Sequence, residues 1–91
     1  MQVLAADDDP VVREILKAQL RAWEYEPLLC EDGDSAWEHL EAADGPQLAL
    51  LDWMMPGLDG PEICRRVRAS DRAERVYLIL LTSKGKREDL V

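Results

Sequence analysis

Apolar and polar positions along this chain fall into short blocks whose period switches from one segment to the next. Gln2 to Ala6 is mainly apolar and ends abruptly in three acidic residues, the pattern of a buried parallel strand. Asp9-Pro10 then opens a helix, because the aspartate can accept from free backbone N–H groups and proline has its φ preset for the first helical position. Val12, Ile15, Leu16, Leu20 and Trp23 follow at helical spacing, with Arg13, Glu14, Lys17 and Arg21 between them, so this apolar set is expected to face inward. A second strand over Glu26 to Cys30 carries Pro27, which lacks an N–H for the ladder and argues for a sheet edge. Asp32-Gly33 turns the chain, Asp34 is expected to cap the next helix, and Trp37 and Leu40 form its inner face. Asp44-Gly45-Pro46 supplies the stop signal.

Leu48 to Leu51 reads as the next buried strand, ending at Asp52, and Trp53 to Gly60 is a loop rich in turn formers. Pro61 opens a helix with Ile63, Cys64 and Val67 inward and Arg65, Arg66 and Arg68 outward. Val76 to Leu81 is the most apolar run and the best strand candidate, ending at Thr82-Ser83. Lys84 to Arg87 reads as a polar loop and Glu88 to Val91 as the start of a helix. Strands alternating with helices imply an α/β protein with a parallel sheet and right-handed crossovers.

With 91 residues the chain makes one small domain, whose stability margin is thin. Lys and Arg total 11 against 19 Asp and Glu, a net charge of −8 that repels nucleic acid and anionic membrane, so neither is expected as a partner. Cations and basic protein surfaces are the natural ligands of such a field. Two cysteines, Cys30 and Cys64, are too few for a disulfide framework and read as reduced, packed thiols. The acidic residues after Ala6 interrupt any secretory leader, and no apolar run nears the ~20 residues of a membrane span, which points to the cytoplasm.

Three strands end in polar groups: Asp7 and Asp8 after the first, Asp52 after the third, Thr82 after the fourth. In an open parallel sheet, functional groups gather where the carboxyl ends of strands meet a topological switch point. If the first and third strands are neighbours, the three aspartates share one pocket. Two carboxylates about 5 Å apart repel by roughly 3 kcal/mol at an effective dielectric near 20. Protons or a hard cation must offset that, and an all-oxygen donor set with room for water favours Mg²⁺ over zinc. Other groups have plainer readings. Asp9 is a helix cap, Asp59 a turn or cap residue, His39 a surface side chain, and Trp23 and Trp37 core. The Arg65-Arg66-Arg68 cluster is a solvated face that also offsets the acidic field.

Three blocks of sequence carry a family resemblance: Val3-Leu4-Ala5-Ala6-Asp7-Asp8-Asp9-Pro10, then Leu50-Leu51-Asp52-Trp53-Met54-Met55-Pro56-Gly57-Leu58-Asp59-Gly60, then Leu80-Leu81-Thr82-Ser83. In content and spacing they resemble the receiver domains of two-component response regulators. The middle block, an apolar strand running into D-x-x-M-P-G-x-D-G, is highly specific. The resemblance implies a flavodoxin-like, doubly wound parallel sheet of strand order 2-1-3-4-5. Here the order would be 2-1-3-4, residues 1–91 forming a receiver incomplete at its C-terminal end. The fifth strand, its phosphoryl-binding lysine, the switch aromatic and the last helix would be missing. It further implies that Asp52 is the catalytic phosphoacceptor, taking a phosphoryl group from a sensor histidine kinase or phosphotransfer protein. Asp8, Asp52 and the backbone carbonyl of Met54 would bind Mg²⁺, with Asp7 acting through a coordinated water. Thr82 would contact the phosphoryl group and begin the switch, and Ser83 would leave that group accessible. Such a domain is a regulatory switch driving an output domain in a longer parent chain, rather than a turnover enzyme.

Competing readings fare worse on the same residues. An aspartate-nucleophile phosphatase of the haloacid dehalogenase type needs a second acid two residues after the nucleophile, and position 54 is Met. A flavin-phosphate binder needs a loop of Gly, Ser and Thr after the first strand, and Asp7-Asp8-Asp9-Pro10 is its electrostatic opposite. A receiver-shaped interaction module without phosphorylation is the remaining alternative; it would protect the apolar edge at the fourth strand by forming a homodimer. The wording around Trp53 to Pro56 and Tyr77 to Thr82 also looks like receivers joined to diguanylate cyclase or phosphatase output domains, an analogy only.

Overall fold

The structure, a computed structural model, describes residues 1–81. Four strands and three helices alternate: β1 (Gln2–Ala6), α1 (Pro10–Ala22), β2 (Glu26–Cys30), α2 (Gly33–Glu41), β3 (Leu48–Asp52), α3 (Gly60–Arg68) and β4 (Tyr77–Leu81). The strands form one parallel sheet in the order β2-β1-β3-β4, so Pro27 does lie on an edge strand. Period-two alternation splits the apolar residues between two faces. Leu4, Ala6, Ala49 and Leu51 pack with Ala36, Leu40, Ile63 and Val67 beneath α2 and α3. Val3 and Ala5 pack with Leu20 beneath α1, and Leu16, Leu29, Leu48 and Leu50 border that second cluster. β1, flanked on both edges and covered on both faces, is fully buried from Val3 to Ala6.

Three helix starts are capped by aspartate. Asp9 accepts from the Val11 amide at 2.9 Å, Asp32 from Ser35 at 2.7 Å and Asp59 from Glu62 at 2.8 Å. The cap of α2 is therefore Asp32, and not Asp34 as its spacing suggested. The chain is already helical at Gly33, so Asp34 falls in the first turn and its side chain is free to reach elsewhere. Two further expectations fail on α1. Trp23 is 63% exposed and Ile15 is exposed too, because α1 rests mainly over β1 and β2 and its outer flank faces solvent. Trp23 is the C-cap, where the chain is already reversing through Glu24 at φ 66° toward β2. Trp37 fares better: half-buried against the α2–α3 core, it has the Arg66 guanidinium 5.8 Å from its ring centroid.

A buried cation holds the far end of the sheet together. Arg72, in the connection between α3 and β4, donates to the carbonyls of Leu40, Ala42, Gly45 and Pro46 at 2.8–3.2 Å. These carbonyls lie at the C-terminal end of α2 and in the link to β3, where a helix leaves acceptors to be satisfied, and that of Ala42 also accepts from the Gly45 amide at 3.0 Å. Nothing in the local sequence marked Arg72 for this role. Among the described residues no helix is long and apolar enough to cross a membrane. The sequence expectations for Thr82 to Val91, including the polar loop and the fourth helix, lie outside the described residues.

Candidate metal centre

β1 and β3 are hydrogen-bonded neighbours with Ala6 opposite Leu51, so Asp7 and Asp52 leave adjacent strands at the same level. One carboxylate oxygen from each of Asp7, Asp8 and Asp52 lies within 4.8 Å of the other two. Asp7 and Asp52 are buried, at 5% and 2% exposure, while Asp8 faces solvent. This is the convergence that the strand ends predicted.

The hydrogen bonds around Asp7 fix its loop. Its amide donates to the Cys30 carbonyl at 3.1 Å and its Oδ1 accepts from the Asp9 amide at 2.9 Å. Its carbonyl oxygen accepts from Arg13 Nη1 at 2.7 Å, and Arg13 in turn lies 3.9 Å from Glu31. Arg13 had read as one polar residue among several on α1. Its amide donates to the carbonyl of the cap Asp9, an ordinary bond of the first helical turn that gives no sign of the side-chain contact with Asp7. On the other strand, Trp53 follows Asp52, half-buried, its amide donating to Leu81 and its carbonyl accepting from Gly60 at 3.1 Å. Met54 is exposed on the same loop, and the neighbouring Met55 side chain is buried in the core. Leu81 pairs with Asp52 in register, but Thr82 and Ser83 lie outside the described residues.

Both cysteines are free thiols, as expected. Burial pushes the Cys30 thiol above its ordinary range, and a hydrogen bond with Ser35 offsets part of that. Burial raises Cys64 as well, against the lowering influence of Arg68. Both stay protonated at neutral pH, so neither is a ready nucleophile or soft-metal ligand. His39 is exposed near the end of α2, a surface residue as read.

Charge arithmetic decides what the acidic pocket can hold. At the observed spacing each carboxylate pair repels by about 3 kcal/mol at an effective dielectric near 20, and less for pairs that include the solvated Asp8. A hard divalent cation cancels that repulsion, and the donors are oxygens only. The residues present therefore fit such an ion.

An open parallel sheet whose strand order reverses between β1 and β3, with acids gathered there, defines a doubly wound α/β protein with its site at the switch point. The family model of the response regulator receiver domain matches residues 3–91. Chemotaxis protein CheY1 of Helicobacter pylori strain J99 is 33% identical over 92 residues, covering all of this chain and 74% of that protein. Response regulator MprA of Mycobacterium leprae is 40% identical across the whole chain, which corresponds to 39% of its own length. Among solved structures, the receiver domain of sensor histidine kinase PA1611 from Pseudomonas aeruginosa, with a magnesium ion in its active site cleft, superposes with a TM-score of 0.82. It is 33% identical, over 96% of this chain and 73% of that one. Response regulator TrrA of Thermotoga maritima, in complex with Mg²⁺ and BeF, is also 33% identical, with a TM-score of 0.79 over 98% and 76%. The chain belongs to the response regulator receiver family.

Proposed function

We propose that Asp52 is the phosphoacceptor of this receiver and that Asp7, Asp8 and Asp52 hold Mg²⁺ beside it. The observation that carries this reading is the meeting of three carboxylate oxygens within 4.8 Å at the switch point. Asp52, fixed at the end of a central strand, attacks the phosphorus of a phosphohistidine on a sensor kinase or phosphotransfer protein. A P–O bond forms on the carboxylate as the P–N bond breaks, and the histidine nitrogen leaves with the electron pair and takes up a proton. When bound, the metal supplies positive charge against the phosphoryl oxygens.

The chain's own groups divide the remaining tasks. Asp8, exposed, is open to direct ligation. Asp7 already accepts from the Asp9 amide through Oδ1, which suits it to holding a coordinated water. The Met54 carbonyl is the third protein ligand, and because only the main chain is used its side-chain identity is immaterial to binding. Thr82 contacts a phosphoryl oxygen and starts the conformational switch, with the small Ser83 leaving the group accessible. The domain thus accepts and relays a signal to an output domain without turning over a substrate, and a cytoplasmic location goes with a kinase donor.

Incubation of the chain with Mg²⁺ and acetyl phosphate, followed by intact-mass spectrometry, tests this. One added phosphoryl group is expected, absent in Asp52→Asn and in EDTA. An unchanged mass under all conditions would leave a receiver-shaped interaction module in its place.

A further inference from the structure

The two aspartate-bearing strands fix Asp7, Asp8 and Asp52, but Met54 lies on the loop beyond them, past the bond of the Trp53 amide to Leu81 of β4. Its place is set by what the loop is tied to. At its two ends Trp53 and Gly60 are hydrogen-bonded to each other, and Met55 is anchored in the core. The outer arc, Pro56 to Leu58, is held by the first turn of α2. The Gly33 amide donates to the Pro56 carbonyl at 3.1 Å, and Asp34 Oδ1 accepts from the Leu58 amide at 3.3 Å. The contact is close enough that a Cβ on Gly33 would overlap the Leu58 carbonyl oxygen. Across it, Gly57 has φ +75°, open to glycine with little strain, and a Cβ there would stand 2.8 Å from Asp34 Oδ1. A few residues earlier the same segment meets the other half of the pocket, since the Cys30 carbonyl accepts from the Asp7 amide and Glu31 pairs with Arg13.

We infer that Gly33 and Asp34 are positioning residues for cation binding: the start of α2 sets the β3–α3 loop, and with it the Met54 carbonyl, against the aspartates of β1. The inference rests on the metal-binding reading above. Neither residue touches the ion; each acts on the loop that does. Partners one step removed from a ligand set its orientation, and losing one lowers metal affinity about tenfold or more.

Isothermal titration with Mg²⁺ and metal-free thermal melting, on the parent chain and on Asp34→Ala, Asp34→Asn and Gly33→Ala, test it. Asp34→Ala should weaken Mg²⁺ binding about tenfold with its metal-free melting temperature little changed, because the bond it removes is exposed. Asp34→Asn, which removes the charge but keeps the acceptor, should bind like the parent. Gly33→Ala should bind more weakly than Asp34→Ala; if it fails to fold, the Asp34 pair decides. Parent-like affinity in Asp34→Ala overturns the inference, even if that variant melts earlier. So does an equal loss in Asp34→Asn and Asp34→Ala, which would assign the effect to long-range charge. A parent chain that binds no Mg²⁺ brings down the metal-binding reading, and this inference with it.

Discussion

Trp53 is the aromatic reporter that this site carries beside its proposed acceptor. It is half-buried next to Asp52, whereas Trp23 is exposed at the far end of α1 and Trp37 lies on α2 against Arg66. Mg²⁺ should therefore change the intrinsic fluorescence, and Trp53→Phe should remove the change while calorimetry still registers binding. A response persisting in Trp53→Phe would place the perturbed indole elsewhere. At this scale the sequence was most legible where chemistry is costly. Three carboxylates at strand ends declare a site because their mutual repulsion needs an explanation. Asp9 and Asp59 were equally plain as caps, since each precedes Pro or Gly-Pro. Asp34 was misread because two aspartates flank Gly33, and spacing alone cannot say which one starts the helix. The parts of Arg13 and Arg72 were invisible because both bond backbone carbonyls, which any sequence presents everywhere.

Among the described elements, α2 is secured at both ends by residues distant in the chain. Its start meets the β3–α3 loop, and its last turn delivers carbonyls to Arg72. Hydrogen bonds to a charged donor contribute more than neutral ones, and Arg72→Met leaves several acceptors inside without partners. Urea unfolding should show a loss of about 2–3 kcal/mol, and a loss below about 0.5 kcal/mol, the range of ordinary surface substitutions, would show that water satisfies those carbonyls equally well. All four strands and three helices were readable from periodicity, and their alternation gave the parallel class. Orientation within a helix was less readable. α1 has apolar residues on more of its circumference than β1 and β2 can cover, so Ile15 and Trp23 followed the pattern without being buried. Tyr77 and Ile79, at 75% and 47% exposure, show the same limit on β4. They share a sheet face with Leu48 and Leu50, beyond the reach of α1.

For the whole molecule, a concentrated acidic pocket is a standing electrostatic cost that a small domain carries until a cation arrives. Mg²⁺ at about one hundred times its dissociation constant should add about 2.7 kcal/mol to folding stability. Asp52→Asn should melt higher than the parent without metal and gain little when metal is added. Scanning calorimetry with and without EDTA reads both, and a parent melting temperature indifferent to Mg²⁺ counts against the cluster as a cation site. Fold and strand order were legible because Pro27 marked the edge and the resemblance supplied the order. Side chains that tune the pocket were not, because their effect depends on which loops the sheet brings side by side.

The pairing of β1 with β3 also has a kinetic meaning. Leu4 sits opposite Ala49, so the central ladder closes across roughly half of the chain, with α1, β2 and α2 between its strands. Contacts so remote form late, after the entropy of loop closure has been met. Until that moment the acid pair and its third member belong to separate parts of a fluctuating polymer. A chain caught midway through folding is therefore deaf: it has no assembled receptor for the incoming signal, and competence to respond is acquired together with the native topology.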